Sequence, residues 1–212
     1  MNMFNFGENE VKVWRDFVNF FDLSKEQDEQ LKRYLLMLLE ENQKINLTAI
    51  TSVEDVIAYH FADSLMLSKF IDFNNVTCLC DVGCGAGFPG IPLKILNPKI
   101  NLISIEVVNK KVKFLEKVIE TLNLENSQVS NLDWRTFLRK EDHQIDLFCA
   151  RASLQPEELV RIFKPSCKYK DSKFIYWAAT GWQPDSKLAY FVKKQEAYKV
   201  GDRDRKFVFF EN

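Results

Sequence analysis

The chain has little of what marks secreted, membrane-bound or disulfide-built proteins. Its 212 residues include two histidines and five cysteines, an odd number scattered among apolar neighbours. No apolar run approaches the roughly 18–20 residues that span a bilayer. The start, "MNMFNFGENEVKVW", lacks the positive-then-apolar order of a signal peptide. These absences predict a protein of the reducing cytoplasm with no membrane segment.

The cysteines also raise the question of a metal. Cys78, Cys80 and Cys84 lie close together, but neither a CxxC spacing nor a nearby histidine completes a zinc set. We therefore predict no metal site and interpret these residues as small buried hydrophobic side chains.

Charge of one sign is not in excess. The net charge is −1, with 46% hydrophobic and 28% charged residues, which is typical of a soluble globular domain. No global field would attract nucleic acid, so any basic surface must be local.

Glycine is scarce, and its distribution is informative. Of the seven glycines, four lie within "CDVGCGAGFPG" (80–90), directly after the apolar run "VTCLC". Glycine permits positive φ and lets a ligand lie against bare main chain. Open α/β sheets bind ligands just past the ends of their strands. The pattern Gly83-x-Gly85-x-Gly87 therefore predicts a nucleoside-type ligand, either a dinucleotide or S-adenosylmethionine.

Two features favour S-adenosylmethionine. The dinucleotide fingerprint needs a glycine where this chain has Phe88. Asp81 would be unfavourable beside phosphates, whereas an acid suits the cationic ammonium of a methionine moiety, directly or through water. Glu106, ending the next strand, could accept both ribose hydroxyls. Asp133 could face the adenine amino group with Leu132 against the ring, although both of these later acids could also be solvated strand ends.

Hydrophobic periodicity predicts helices first, then strands alternating with helices. Ser24 and Gln27 resemble a capping box. The alternation from Asn75 onward predicts βαβ units and a mostly parallel sheet, and "GDRD" suggests a turn in an antiparallel edge pair. We divide the chain into a helical N-terminal extension, 1–72, and a Rossmann-like core, 73–212. The predicted helices are 10–40, 52–71, 87–96, 110–123, 156–165 and 185–195, and the predicted strands are 76–82, 100–107, 127–133, 145–152, 172–180 and 206–210.

The motifs between Asn42 and Arg151 resemble one known family. "NLTAI", "HFADSL", "DVGCGAGFPGIPL", "NKKVKFLEKV" and "ARA" have the order of the bacterial small-subunit ribosomal RNA guanine-N7 methyltransferases, also called glucose-inhibited division protein B. The resemblance implies an α/β fold, the class I S-adenosylmethionine-dependent methyltransferase sheet of seven strands with a helical N-terminal extension. It implies methyl transfer to N7 of a guanine in 16S ribosomal RNA. The implied cofactor contacts are Gly83, Phe88, Leu132, Asp133 and Arg151, and Glu106 stands at the position that contacts the ribose.

Two departures from the family pattern fall on the substrate side. "KPSCKYKDSKF" has no glycine where the family has a Pro-Gly-Gly turn, and Thr180 stands where the usual Lys-Gly has its lysine. They favour an alternative, a cofactor-binding protein that has lost transfer activity and serves as an RNA- or ribosome-binding module. A dinucleotide oxidoreductase is a further alternative, which the glycine placement disfavours.

Methylation of guanine N7 places few demands on side chains. N7 has a lone pair and no proton to lose, so no general base is needed and positioning is the main task. Arg151 follows the fourth strand, and we predict it as the catalytic residue. Its planar fork would hold a cofactor carboxylate, a phosphate or the guanine edge.

Three residues before the glycine loop are candidate substrate contacts with structural alternatives. His60 either contacts RNA or packs between helices, and Asp63 either contacts substrate or caps. Asn46 contacts substrate or orders its connection through side-chain-to-backbone hydrogen bonds.

A basic segment after the fourth strand is the candidate RNA surface. Lys164 and Lys168 would bind phosphates, and Tyr169, between two lysines, would stack on a base. One such patch on a near-neutral protein would bind weakly and with strong salt dependence. That behaviour is consistent with 16S ribosomal RNA presented within a ribosomal particle.

Overall fold

A seven-stranded sheet organises the chain in the computed structural model, which describes residues 6–212. The strand order is β3-β2-β1-β4-β5-β7-β6. The first five strands pair in parallel, whereas β7 runs antiparallel to both β5 and β6. The strands are β1 Cys78–Val82, β2 Asn101–Ile105, β3 Ser127–Ser130, β4 Leu147–Arg151, β5 Lys173–Ala179, β6 Val192–Val200 and β7 Arg203–Phe210.

Helices cover both faces of this sheet, as the alternating pattern predicts. Short helical turns of other types join them: a π-helical turn, Ile57–Ala62, and 3-10 turns at Met66–Lys69, Phe73–Asn75 and Val160–Phe163. The α-helices are α1 Glu8–Phe21, α2 Lys25–Ile45, α3 Val53–Val56, α4 Asp63–Leu65, α5 Gly90–Leu96, α6 Asn109–Thr121, α7 Trp134–Lys140, α8 Pro156–Leu159 and α9 Ser186–Ala189.

The predicted helix 10–40 is two helices. α1 ends at Phe21, its C-cap Asp22 has a φ of 51°, and Ser24 is the N-cap of α2. The predicted capping box is confirmed: Gln27 N–H donates to Ser24 Oγ over 3.2 Å, and Ser24 N–H donates to Gln27 Oε1 over 2.9 Å. The cap satisfies backbone donors that a helix start leaves unpaired, so the chain can turn here at little cost.

Two further predictions fail near strand ends. The helix predicted over 185–195 stops at Ala189, and the remaining residues enter β6, where pairing with β7 outweighs helical periodicity. The third strand is shorter than predicted because Asp133 caps α7 instead of extending β3.

The central strand β1 is buried along all five residues. The sheet covers it on both sides and helices cover it above and below, which is the usual environment of a parallel strand. Cys78, Cys80 and Cys84 are free thiols in this interior, and burial raises the pKa of Cys78 to about 11. Their interpretation as small buried side chains is confirmed.

Two apolar clusters lie on the two faces of the sheet. One joins the N-terminal helices to the sheet, with Trp14, Tyr34 and Phe61 packed into the same cluster as Leu102 and Phe207. The other packs α7 and the helical turn after β4 against the opposite face. The division of the chain at residue 72 stays a prediction. Between residues 6 and 212, no helix combines the length and apolar character needed to cross a membrane.

Candidate functional site

A cavity of about 850 Å³ opens at the carboxyl ends of β1, β2 and β4. β1 has β2 on one side and β4 on the other, so the strand order reverses here. This switch point is where open α/β sheets bind ligands. Among the lining residues are six of the predicted cofactor contacts and two of the predicted substrate contacts: Gly83, Gly85, Phe88, Glu106, Asp133, Arg151, His60 and Asp63.

The glycine loop forms one wall of the cavity. Gly85 has φ +62°, and a Cβ placed there would meet no atom within 4 Å, so a side chain would project into open space. Gly83 has φ +66°, and its Cβ would lie 2.5 Å from the Cβ of Ser153. Glycine is therefore needed at both positions: Gly85 keeps the wall bare, and Gly83 leaves room for Ser153, just after β4.

Asp81 does not line the cavity. It is fully buried, and its Oδ2 accepts the Gly90 N–H over 2.7 Å at the start of α5. Burial raises the pKa of Asp81 to about 7, against the backbone hydrogen bond and Arg151, which lower it. The carboxyl therefore holds the loop from behind, and its direct contact with a ligand ammonium stays a prediction. A contact through water stays a prediction.

Gly87, Leu132 and Asn46 also lie outside the cavity lining. Gly87 faces the core, where a Cβ would lie 2.7 Å from the Tyr34 hydroxyl. Leu132 packs against the cluster on the α7 face. Asn46 ends α2 with φ 51°, and the connection is ordered by Asn42, whose side chain bonds both N–H and C=O of Thr48.

Glu106 is positioned by the main chain on two sides. Its Oε2 accepts the Gly85 N–H over 3.0 Å and its Oε1 accepts the Val108 N–H over 2.8 Å. The side chain is buried yet borders the cavity. Each carboxylate oxygen has a second lone pair, so it can still accept ligand hydroxyls.

Asp133 borders the cavity as the N-cap of α7. Its Oδ1 accepts the Thr136 N–H over 3.0 Å, and its Oδ2 accepts the Thr136 hydroxyl over 2.6 Å. These two hydrogen bonds lower the pKa of Asp133, so the side chain is an exposed anion at neutral pH. It therefore has a capping role as well as a position from which it can meet a ligand.

Arg151 ends β4 and reaches back to the N-terminal helices. Its Nη1 donates to the Tyr59 carbonyl over 3.0 Å and to Asp63 Oδ2 over 2.8 Å. Its Nη2 donates to His60 Nδ1 over 3.0 Å, and its Cζ lies 5.3 Å from the Phe88 ring centroid. Arg151, His60 and Phe88 thus meet at one side of the cavity.

The predicted RNA segment after β4 lies elsewhere. Lys164 and Lys168 are exposed but do not border the cavity, and Lys168 pairs with Asp142 over 3.2 Å. Tyr169 is 3% exposed, and its hydroxyl donates to the Glu141 carbonyl. The base-stacking role of Tyr169 is therefore wrong, because its ring packs inside the α7 cluster. Thr180 is also outside the cavity lining.

Sequence reasoning missed several polar cavity residues. They come from the N-terminal helical segment and its connections, from the segment after β4, from α7 and from the β6–β7 hairpin, and no spacing links them in the sequence. The Arg203 guanidinium lies 3.7 Å from the Tyr59 ring centroid. The predicted turn at "GDRD" does not indicate this contact with a residue so far away in the sequence. The missed lining residues include Thr48, Tyr59, Arg135, Ser153, Arg203 and Arg205.

Among solved structures with this architecture is TrmK of M. capricolum in complex with the natural cofactor product S-adenosyl-homocysteine. It superposes with a TM-score of 0.53 at 18% identity, covering 70% of this chain and 67% of that chain. The sheet order and the cavity at its switch point define the class I methyltransferase fold.

Sequence comparison identifies the family. A family model described as rRNA small subunit methyltransferase G matches residues 27–200, and the chain belongs to this family. The ribosomal RNA small subunit methyltransferase G of Bacillus subtilis (strain 168) is 40% identical over 155 residues, 72% of this chain and 64% of that protein. Its namesake from Aster yellows witches'-broom phytoplasma (strain AYWB) is 39% identical over 186 residues, 85% of this chain and 84% of that protein. The match thus spans slightly less than two thirds of the Bacillus relative.

Proposed function

We propose that this chain transfers a methyl group from S-adenosylmethionine to N7 of a guanine in 16S ribosomal RNA. One observation carries the proposal: a bare glycine wall, an anchored carboxylate and a partly unpaired guanidinium meet in one cavity at the switch point. Membership of the rRNA small subunit methyltransferase G family supports the same activity.

The cavity residues fit this cofactor. Gly83 and Gly85 offer bare main chain, and Glu106 offers oxygens that can accept ribose hydroxyls. Asp133 presents an anion at the end of the third strand, where it can accept from an adenine amino group. Arg151 can hold the carboxylate end. When bound, S-adenosylmethionine supplies an electrophilic methyl group.

The side chains around the cavity suit a reaction that needs no proton removed. Guanine N7 presents a lone pair, so the protein has only to orient the base and exclude water. His60 is held neutral, with its pKa lowered to about 3 by burial and by Arg151. Its ring lies 4.4 Å from that of Phe88, nearly parallel to it, and forms part of a rigid wall.

We propose that RNA approaches the cavity from its basic rim. Arg203 is exposed there, and Arg205 and Lys111 also border the cavity. Phosphate contacts supply most nucleic-acid affinity, so these cations replace Lys164 and Lys168 as the expected RNA contacts. A ribosomal particle as the substrate, a cytoplasmic location and independence from metal remain parts of the proposal.

Methyl transfer tests the activity directly. Small ribosomal subunits from cells lacking this enzyme are incubated with the protein and labelled S-adenosylmethionine. We expect label in 16S ribosomal RNA, at a guanine that N7-specific cleavage then maps. Subunits from cells that contain the enzyme are the control and should take up little label.

Two outcomes would contradict the proposal. Binding of S-adenosylhomocysteine without transfer to any RNA would favour the inactive binding module. Calorimetric binding of NAD in place of S-adenosylhomocysteine would favour the oxidoreductase.

Gly85→Ala tests the cofactor wall. The added methyl group would enter the cavity, and the left-handed φ is unfavourable for alanine by roughly 1–2 kcal/mol. We expect the affinity for S-adenosylhomocysteine, measured by calorimetry, to fall at least about tenfold, which corresponds to roughly 1.4 kcal/mol. Gly181→Ala is the matched control, because Gly181 also faces open space but has an ordinary φ and lies outside the cavity. Equal affinities of the two variants would place the cofactor elsewhere.

A further inference from the structure

The Arg151 side chain is held by one short stretch of the N-terminal helical segment. Its acceptors are the Tyr59 carbonyl, His60 Nδ1 and Asp63 Oδ2, at 3.0, 3.0 and 2.8 Å. These residues lie in and just after the π-helical turn Ile57–Ala62. π-Helical turns are rare and are frequent at functional sites. Here the turn brings a carbonyl, a ring nitrogen and a carboxylate to one guanidinium.

These contacts do not use all the N–H groups of Arg151. A guanidinium has five N–H groups. Two on Nη1 and one on Nη2 are used by the three acceptors. Within residues 6–212, no acceptor meets the Nε–H or the second Nη2 N–H of Arg151, which borders the cavity. The free Nε–H, with Nη2 beside it, can meet a planar acceptor with two oxygens or an O/N pair.

The His60 contact fixes both the tautomer and the charge of the ring. Because arginine can only donate, His60 Nδ1 must accept, and the ring proton must be on Nε2. That nitrogen lies 2.8 Å from Thr48 Oγ1, which can accept it. A protonated His60 would lose the Arg151 bond and place two cations together, in agreement with its lowered pKa.

Asp63 supplies the opposite charge. Its side chain is 3% exposed against 8% for Arg151, so the ion pair is shielded from solvent. Asp63 Oδ1 also accepts the Tyr198 hydroxyl over 2.7 Å, and Oδ2 accepts from Arg205 over 3.3 Å. The Trp177 indole N–H donates to the Asp63 carbonyl over 3.0 Å. The carboxylate is therefore fixed from β6 and β7, and the Asp63 main chain from β5.

We propose that Asp63 and neutral His60 are positioning residues that aim the two unpaired N–H groups of Arg151 at the bound substrates. They act through Arg151 and replace the direct substrate contact that the sequence suggested. This inference rests on the proposed function, since the benefit of an aimed guanidinium is measured by methyl transfer. A misplacement of about 1 Å in such a group can cost on the order of a hundredfold in rate.

A double-mutant cycle separates positioning from general structural support. Asp63→Asn keeps the shape of the side chain and removes its charge, and Arg151→Lys keeps the charge and removes the planar fork. We expect Asp63→Asn to lower kcat at least about tenfold. In the Arg151→Lys background we expect Asp63→Asn to cause no further loss of kcat, because lysine has no planar guanidinium for Asp63 to orient. Losses that multiply would overturn the proposal.

Asp28→Asn is the matched control. Asp28 is also an ion-paired helical aspartate with an indole partner, bonding Trp14 Nε1 over 2.6 Å and Lys32 over 2.7 Å, but it lies away from the cavity. We expect its kcat to equal that of the wild type. An equal fall in kcat for both Asp→Asn variants would overturn the proposal, since loss of any helical ion pair would then suffice.

A second pair of variants covers the case in which Asp63→Asn does not fold. His60→Gln keeps an acceptor for Arg151, whereas His60→Ala removes it. We expect His60→Gln to retain kcat within about threefold and His60→Ala to lose at least about tenfold, with the loss again absent in the Arg151→Lys background. Equal kcat values for the two variants would overturn the proposal. If wild-type protein transfers no methyl group, it is the proposed function that fails.

Discussion

At the residue scale, three strand-end carboxylates share a chemistry but differ in environment. Asp81 is fully buried and bonds the start of α5. Glu106 is buried but borders the cavity, and Asp133 is exposed and caps α7. Burial and backbone contacts decide that the first shapes the loop, whereas the other two remain able to meet a ligand.

Because Asp81 is buried, we expect the free energy of unfolding to depend on pH. Its pKa is about 7 in the folded protein against 3.8 normally. Between these values the unfolded chain has lost the proton and the folded one keeps it, so wild-type stability falls as pH rises through this window. Each pKa unit corresponds to about 1.4 kcal/mol. Asp81→Asn should therefore gain free energy of unfolding relative to wild type, on the order of a few kcal/mol at pH 8 and less at pH 5.

Urea unfolding at the two pH values measures this difference. The asparagine Oδ1 can still accept the Gly90 N–H, so the hydrogen bond is kept. His60, whose lowered pKa acts with the opposite sign, is common to both proteins and cancels. A stability difference that is the same at pH 5 and pH 8 would show that Asp81 titrates normally.

At the scale of elements, the C-terminal hairpin completes the cavity from the far end of the chain. The turn between β6 and β7 packs on Tyr59: Asp202 accepts its hydroxyl, and Arg203 covers its ring. Gly201 has φ +57°, and its Cβ would lie 2.9 Å from Tyr59 Cε1. The hairpin thus packs against the π-helical turn at Gly201, where a side chain would collide with Tyr59.

Gly201→Ala tests this fit. The left-handed φ costs alanine roughly 1–2 kcal/mol, and the Tyr59 ring must also move. We expect urea unfolding to show a loss of about 2 kcal/mol in the free energy of unfolding. Gly181→Ala, in open space at an ordinary φ, should change it by less than about 0.5 kcal/mol. Equal effects would mean that the hairpin turn does not rest on Tyr59.

At the scale of the whole molecule, a net charge of −1 means that the proposed RNA binding would depend on where the cations lie. The cavity lining has carboxylates at the ends of β2 and β3 and in the N-terminal helical segment, and cations on α6, α7, β4 and β7. Exposed Arg203, on the hairpin, can meet a polyanion at the rim of the cavity.

Arg203→Glu tests the basic rim, and Lys168→Glu is its matched charge-reversal control. Both side chains are exposed, but only Arg203 borders the cavity. We expect Arg203→Glu to raise the KM for ribosomal RNA about tenfold. The slope of the logarithm of the binding constant against the logarithm of the salt concentration should fall by about the amount that one phosphate contact contributes. The KM for S-adenosylmethionine should not change. If Lys168→Glu has the larger effect, RNA binds on the segment after β4.

Local signals explain which predictions succeeded. The glycine cluster after β1, the Ser24–Gln27 cap and the alternation of strands and helices depend on residues close together in the sequence, and each is present in the structure. Arg151 was placed at a strand end by the same alternation. Backbone conformation and hydrophobic period are read over a few residues, so the sequence by itself determined the fold class and the glycine wall.

Only the tertiary structure decided which side chains meet. Asp63 and Arg151 are 88 residues apart, and Arg205 reaches Asp63 only because β7 pairs antiparallel to β5. Tyr169 is buried because α7 and β4 surround it, which no local pattern of lysines reveals. Side-chain convergence depends on strand order and packing between distant segments, and these arise only when the whole chain buries its apolar surface together.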